Sequence, residues 1–518
     1  MNKKSKLTTL ETIKRYTTIF LIICIGLECA MFPAPENVLG CVAELYGWIL
    51  VSRTVMKKEY LQRYFIPFIT ITCYAYSFFV LPIGVTLIEG KPISFRFSVP
   101  YLTFFNLMLN VTTIVLAFHA CRHIYKEGWL TRLWERLGYF TPPTQKQVWV
   151  LAFLAFGALL WDAGRQGTDL MEKENLGAIG QFLAQFRSFA YVPITLLFFF
   201  YWNYGRNVTV KKKPLIIYFV CLSIVAIATT RRTIMLNMAV TWAVMAFFIV
   251  LLENRQVFTR KNACIFLIAF YLITGPVADL ALAMIINRQS VKDSTASETL
   301  SEVVRIYSDK EALHKAFQMG SFSNSDNGGD NFFQWSEYYI DNIFFDRFCN
   351  LRTQDITLDY AQKLGYGSNR MRKYAENYIF FTLPTPILRA IGYEGNKFDY
   401  LYTPGDLLST DALSLRTQYR GFRVCGDSAV GLAWMGYWYY PMAFLIITCV
   451  FYFFSSIVST RRGFMLIPIP TIVGMVTYMT YFNNATGIFR SITLLLRNGW
   501  QDIIIYCLIM YIIRKIIK

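Results

Sequence analysis

The chain has 518 residues, of which 55% are hydrophobic and only 16% charged, and its formal net charge is +18. So few charges are unusual for a soluble domain and point to a polytopic membrane protein. With no basic soluble domain, nucleic acid is a poor partner, and the positive balance suits anionic lipid or an anionic substrate.

Lys3, Lys4, Lys6, Lys14 and Arg15 precede the apolar run 16–32. A cleaved signal peptide is the rival of an uncleaved first helix here. The next apolar run begins within a few residues, which favours the helix. A spanning helix needs ~20 mostly apolar residues. Spans are therefore expected near 16–32, 38–52, 64–86, 99–120, 147–161, 185–205, 214–230, 233–252, 263–287, 428–457, 464–482 and 500–513. The fold class is thus all-α, a polytopic integral membrane protein of about twelve transmembrane helices. It divides into an N-terminal bundle (1–287), one large, mostly helical extracytoplasmic loop (288–426) and a C-terminal bundle (427–518). Lys and Arg concentrate in the short segments that face the cytoplasm if the N-terminus does, so both termini are expected inside. The long loop is exempt from that rule.

A loop of this length usually has its own structure and a function. Within it, 298–318 reads as an amphipathic helix and 320–331 as a turn or lid hinge. The stretch 332–364 reads as helical, with Phe332, Trp335, Tyr338, Tyr339, Phe344, Phe345 and Phe348 on one broad side. Such a stripe is core, or lies on the membrane surface, more often than it binds a ligand. Tyr378 to Phe381, followed by Leu383 to Arg389, is an apolar patch broken by prolines. Cys349 and Cys425 are either a disulfide or two free thiols. The eleven cysteines and three histidines form no metal-ligand spacing, so no metal is expected. There is no internal repeat of the inverted-transporter kind.

Arginines gather near the expected outer face. Arg187 opens the sixth span, Arg231 and Arg232 fall between two spans, Arg288 closes the ninth, and Arg490 and Arg497 precede the last. Taken singly, each reads as a snorkelling anchor. Taken together beside one long loop, they suit bidentate phosphate binding. Where the loop returns to the membrane, Arg416, Arg420, Arg423 and Asp427 have the spacing of one helix face, although Gly421 and Gly426 weaken a helix there. Asp427 either pairs with Arg423 or serves as a base, and Glu376 is the other candidate base. Glu28 and Glu44 are costly inside a membrane unless paired, and a structural partner is the plainer reading for both. No GxGxxG, P-loop, HExxH or GxSxG stands in suitable context, so no cofactor is expected.

The pattern resembles the bacterial oligosaccharide repeat-unit polymerases, the Wzy-type O-antigen or capsule polymerases. The resemblance rests on Ala228 to Thr233 with its arginines between two spans, and on Asp346-Arg347-Phe348 and Pro384 to Arg389 in the large loop. It rests also on the Gly-Asp-Ser run from Gly426 to Tyr437 and on Phe489-Arg490-Ser491. In the family the proline and arginine of the loop element are usually adjacent, whereas here Pro386 and Arg389 are separated. The resemblance implies a metal- and nucleotide-independent glycosyltransferase of the bacterial inner membrane. It would transfer a growing glycan from undecaprenyl diphosphate onto a fresh lipid-linked repeat unit, alongside a flippase and a chain-length regulator of the same pathway. It further implies diphosphate contacts from Arg187, Arg231, Arg232, Arg347, Arg389, Arg420, Arg423 and Arg490, with Asp427 or Glu376 as base. The rival classes are an O-antigen ligase, for which His314 is the loop's only histidine, a lipid-linked-oligosaccharide flippase or other transporter, and a nonenzymatic assembly protein.

Overall fold

The computed structural model describes the chain outside residues 1–7, 126–127, 164–185, 207–208, 229–231, 255–263, 265–266, 269–270, 288–295, 310, 312, 314–338, 347, 384, 393–401, 413–422, 461–463, 484–485 and 518. The described residues are overwhelmingly helical and hold no named strand, only an isolated bridge between Ser459 and Leu466. The chain divides into two compact units. One comprises Met1–Gly128, Asn327–Ser456 and Tyr478–Gln501; the other comprises Trp129–Asp326, Ile457–Thr477 and Asp502–Lys518.

In the first unit, α1 (Thr9–Met31) starts where the Thr8 hydroxyl accepts the Glu11 amide at 3.3 Å, an N-cap that satisfies one orphan donor. Its face bearing Tyr16, Ile19, Phe20, Ile23 and Leu27 is apolar and exposed, as a lipid-facing stripe is. Helix α2 (Pro35–Thr54) starts at a proline, whose missing N–H costs nothing in the first turn. Helices α3 (Phe65–Phe79) and α4 (Leu81–Ile88) are two parts of one apolar run. It breaks at Val80 (φ −127°, ψ −50°), one residue before Leu81-Pro82, because the proline ring disfavours helix just ahead of it. Helix α5 (Pro100–Ile124) again opens on a proline.

From the loop come α6 (Leu351–Leu364), α7 (Asn369–Thr382) and α8 (Pro404–Ala412). Helix α9 (Asp427–Met435) passes through a tight turn at Gly436–Trp438 into α10 (Tyr439–Ser456). Helix α8 carries a reciprocal cap: Thr403 Oγ1 accepts the Asp406 amide and Asp406 Oδ2 accepts the Thr403 amide, both at 3.1 Å.

In the second unit the Tyr218 hydroxyl, on helix Lys212–Ala228, donates to Ala152 O at 3.2 Å and Ala190 O at 3.0 Å. It thereby stitches together three elements. Arg187–Phe198 is wound as a 3₁₀ helix with Pro193 inside it, followed by a short helix Phe199–Trp202. Ile273–Val277 is a π turn containing Pro276, ahead of helix Ala278–Asn287.

Among the described residues, four helical runs are long and apolar enough to cross a membrane: Phe65–Ile88, Pro100–Ile124, Asp427–Ser456 and Phe489–Ile516. They overlap the expected spans 64–86, 99–120, 428–457 and 500–513. Three other expected spans are not single α-helices. Residues 185–205 are largely 3₁₀, 263–287 contains the π turn at Pro276, and 464–482 is reduced to Ile469–Val473 and Met475–Met479. Proline inside an apolar run removes an amide and clashes with the preceding turn, which hydropathy does not register.

The loop also differs in detail. The helix expected over 332–364 is divided, since Asn350 (φ −99°, ψ 31°) stands outside helical geometry at the start of α6. Tyr339 is fully buried with its hydroxyl on Ile93 O at 2.7 Å, so it is core, whereas Phe344, Phe345 and Phe348 are half-buried, with the Phe344 ring against the other two. Phe332, Trp335, Tyr338 and the 320–331 turn lie outside the described residues. The amphipathic helix is Ala296–Ser308. Cys349 and Cys425 are two buried free thiols.

Candidate functional site

Two buried aspartates hold the loop: Asp355 ties it to the start of α5, and Asp406 ties its last residues to α8. Asp355, on α6, has no solvent exposure and accepts from Ser98 N at 2.6 Å, Val99 N at 2.9 Å, Thr103 Oγ1 at 3.0 Å and Arg352 Nη1 at 2.7 Å. Val99 is the residue that caps α5, so Asp355 places a carboxylate on the orphan amides of a spanning helix. Burial pushes the Asp355 carboxyl up from its ordinary range, and the Ser98 and Val99 amides and the Arg352 guanidinium hold it down. Asp406 is equally buried and receives the Arg423 amide at 3.1 Å. The Arg423 guanidinium donates to Ser409 Oγ at 2.9 Å and lies 3.9 Å from Asp406. The chain passes so close to α8 that a Cβ on Gly405 would strike the Arg423 carbonyl.

Beyond this anchor the chain is extended, not helical, through Arg423 to Gly426, and helix begins only at Asp427. The one-face alignment expected for Arg423 and Asp427 is therefore not formed. Gly426 is the N-cap of α9 at φ −77°, ψ 147°, and a Cβ there would collide with the Gln354 side chain. Asp427 thus becomes the first residue of a spanning run. It lines a cavity of about 20 Å³ with Tyr74, Asn110, Thr113, Gln354, Tyr439 and Phe482 among its walls. That is room for water rather than for a sugar ring.

Arg490 follows Gly487, which packs so closely on the loop's return that a Cβ there would come within 3.4 Å of Gly426 O. Arg490 Nη1 donates to the Thr480 and Tyr481 carbonyls, each at 3.1 Å, and its guanidinium lies 5.0 Å from the centre of the Tyr481 ring. The Tyr481 hydroxyl in turn donates to Ser491 Oγ at 2.9 Å. Arg490 is thus held on a fixed platform close to the loop's return. Arg490 and Arg497 are seven apart, a spacing that would put them on one face of a regular helix, but the π turn Leu494–Asn498 intervenes and changes the helical phase. Arg497 donates to Thr382 O at 3.2 Å and to Gln501 Oε1 at 2.7 Å, closing the C-terminal end of α7.

The remaining expected residues fall as follows. Arg187 is half-buried at the start of the 3₁₀ run in the second unit. Glu376 is exposed on α7 and is absent from the walls of the Asp427 cavity. Arg232 opens helix Arg232–Leu252 and Arg389 sits in the short helix Thr385–Ala390, but their side chains lie outside the described residues. Arg231, Arg347, Arg416, Arg420 and His314 lie wholly outside them.

Sequence reasoning missed Gln354, Tyr74 and the polar pair Asn110 and Thr113. The pair carried a signal: with Asn106 it gives polar residues at i, i+4 and i+7 on one face of an apolar helix. Among the described residues no group of three metal-ligating side chains occurs. No protein-family model matches the chain, and no curated protein or solved structure matches it.

Proposed function

We propose that the chain is an integral glycosyltransferase that polymerises oligosaccharide repeat units carried on a lipid diphosphate, at the outer face of the bacterial inner membrane. The reading keeps twelve spans with both termini cytoplasmic, as the Lys and Arg distribution favours. The observation that carries it is the loop's return: a carboxylate, Asp427, opening a long apolar helical run beside a cavity, with Arg490 rigidly held three residues past Gly487, which packs against Gly426. In glycosyl transfer the bond from the anomeric carbon to the diphosphate oxygen breaks and a bond to the acceptor oxygen forms. Asp427 takes the acceptor's proton, and Arg490 stabilises charge on the departing diphosphate. The cavity must open to admit the acceptor hydroxyl.

In this reading Arg187, Arg231, Arg232, Arg347, Arg389 and Arg420 serve the lipid diphosphate, whereas Arg423 holds the loop. The test is purified protein supplied with lipid-linked repeat units and scored for a polymer ladder without added nucleotide. A strain lacking the protein should display single repeats on its surface glycan. Loss of the surface glycan with polymer retained on the carrier would instead make the protein a ligase. An unchanged glycan would overturn both readings.

A further inference from the structure

Away from the Asp427 cavity, two glutamates of the first unit have no solvent exposure. Glu28 is on α1 and Glu44 on α2. Glu28 Oε1 accepts the Ile93 amide at 2.8 Å, but Glu28 Oε2 and both oxygens of Glu44 reach no hydrogen-bond partner. Among the described residues neither forms an ion pair. The titratable groups facing them are Cys24 of α1, Cys41 of α2, and Tyr339 and Cys349 of the loop. None of these is a cation. Lys91, on the segment that supplies Ile93, is paired with Glu89 at 2.7 Å and Asp341 at 2.9 Å.

Two bare carboxylates in such surroundings are not tenable, since a buried ion without a partner neutralises instead. The hydrogen-bond pattern says where the proton goes. Glu28 already receives an amide, so it is the better acceptor. Glu44 receives none at hydrogen-bond length, and the Ile83 amide in the first turn of α4 acts on it only from farther away. We propose that Glu28 and Glu44 form a buried proton-binding site, with one proton held on Glu44. The single remaining negative charge, on Glu28, then faces the Ile93 amide. The site also has a structural outlet. Ile93 O accepts the Tyr339 hydroxyl at 2.7 Å, and Ser94 is bonded through its hydroxyl and amide to Asn37. The segment gripped by Glu28 is thus the one on which the loop docks.

The experiment uses the full-length protein in native membranes, treated at neutral pH with dicyclohexylcarbodiimide, an apolar reagent that modifies protonated carboxyl groups. Peptide mass spectrometry should find the adduct on Glu44, falling at least tenfold at alkaline pH and absent in Glu44→Gln. That variant should accumulate normally, because a carboxamide is neutral, as the protonated carboxyl is. Infrared spectroscopy of the purified protein provides a readout that needs no reagent access: a protonated-carboxyl band present in the wild type and lost in Glu44→Gln. The proposal is overturned if that band is unchanged by the substitution. It is overturned equally if the adduct falls on Glu28 alone, or if sodium ions at fixed pH suppress labelling, which would make the occupant a metal cation.

Discussion

Asp355 reaches the N-terminus of α5 from the loop, and Asp427 is itself the first residue of α9; each puts a carboxylate where a spanning helix starts. Asp355 is closed off by two backbone amides, a threonine hydroxyl and an arginine. Asp427 borders a water-sized cavity among tyrosines. One carboxylate is saturated by protein donors and has nothing left to give a substrate. The other adjoins space into which a reacting group can come. At such positions an aspartate's role follows from whether its surroundings leave room beside it, not from its depth in the fold.

The sharpest way to break this contrast is Asp355→Ala. It leaves Arg352 and the α5 amides without their partner, and removing one member of a buried pair costs about 3–5 kcal/mol. The variant should be poorly recovered from membranes and unfold at markedly lower temperature in detergent. Normal abundance and stability would remove the distinction.

Asp427→Asn should do the opposite. Protein level and thermal stability stay close to wild type while ladder formation drops by roughly two to four powers of ten, the range for a lost general base. In the wild type the rate should fall as pH is lowered and the carboxylate protonates, and Asn should remove that limb. A wild-type ladder from Asp427→Asn would end the catalytic reading of this cavity.

Arg423→Ala probes the anchor rather than the chemistry. Losing its bond to Ser409 and its contact with Asp406 should cost about 1.5–3 kcal/mol, as for hydrogen bonds to charged groups. Limited proteolysis should show cleavage in the loop before any loss of the helices. Should Arg423→Ala instead leave proteolysis unchanged and abolish the ladder, Arg423 belongs with Arg490 and not with Asp355. The smallest effect is expected of Glu376→Gln. An exposed side chain on α7 should change stability by less than about 0.5 kcal/mol and leave polymerisation intact.

The helical class and the four long apolar runs were legible in the chain, because hydropathy acts locally and needs no partner. The cap of α8 was legible too, since Thr403 and Asp406 have the capping-box spacing. Local pattern failed where proline sits inside an apolar run, as at Pro193 and Pro276, because composition alone does not say whether backbone amides find partners. It failed at Arg423 and Asp427, where periodicity suggested a shared helix face but Gly405 let the chain lie against α8 and helix began four residues later. The partners of Asp355 were beyond any such reading. Ser98, Val99 and Thr103 are more than 250 residues away in sequence, and only packing brings them together. For Glu28 and Glu44 the sequence determined that each would be costly in an apolar helix. The tertiary structure decided that neither has a cation to offset it, because the electrostatics of a buried charge depend on what the fold places within a few ångströms of it.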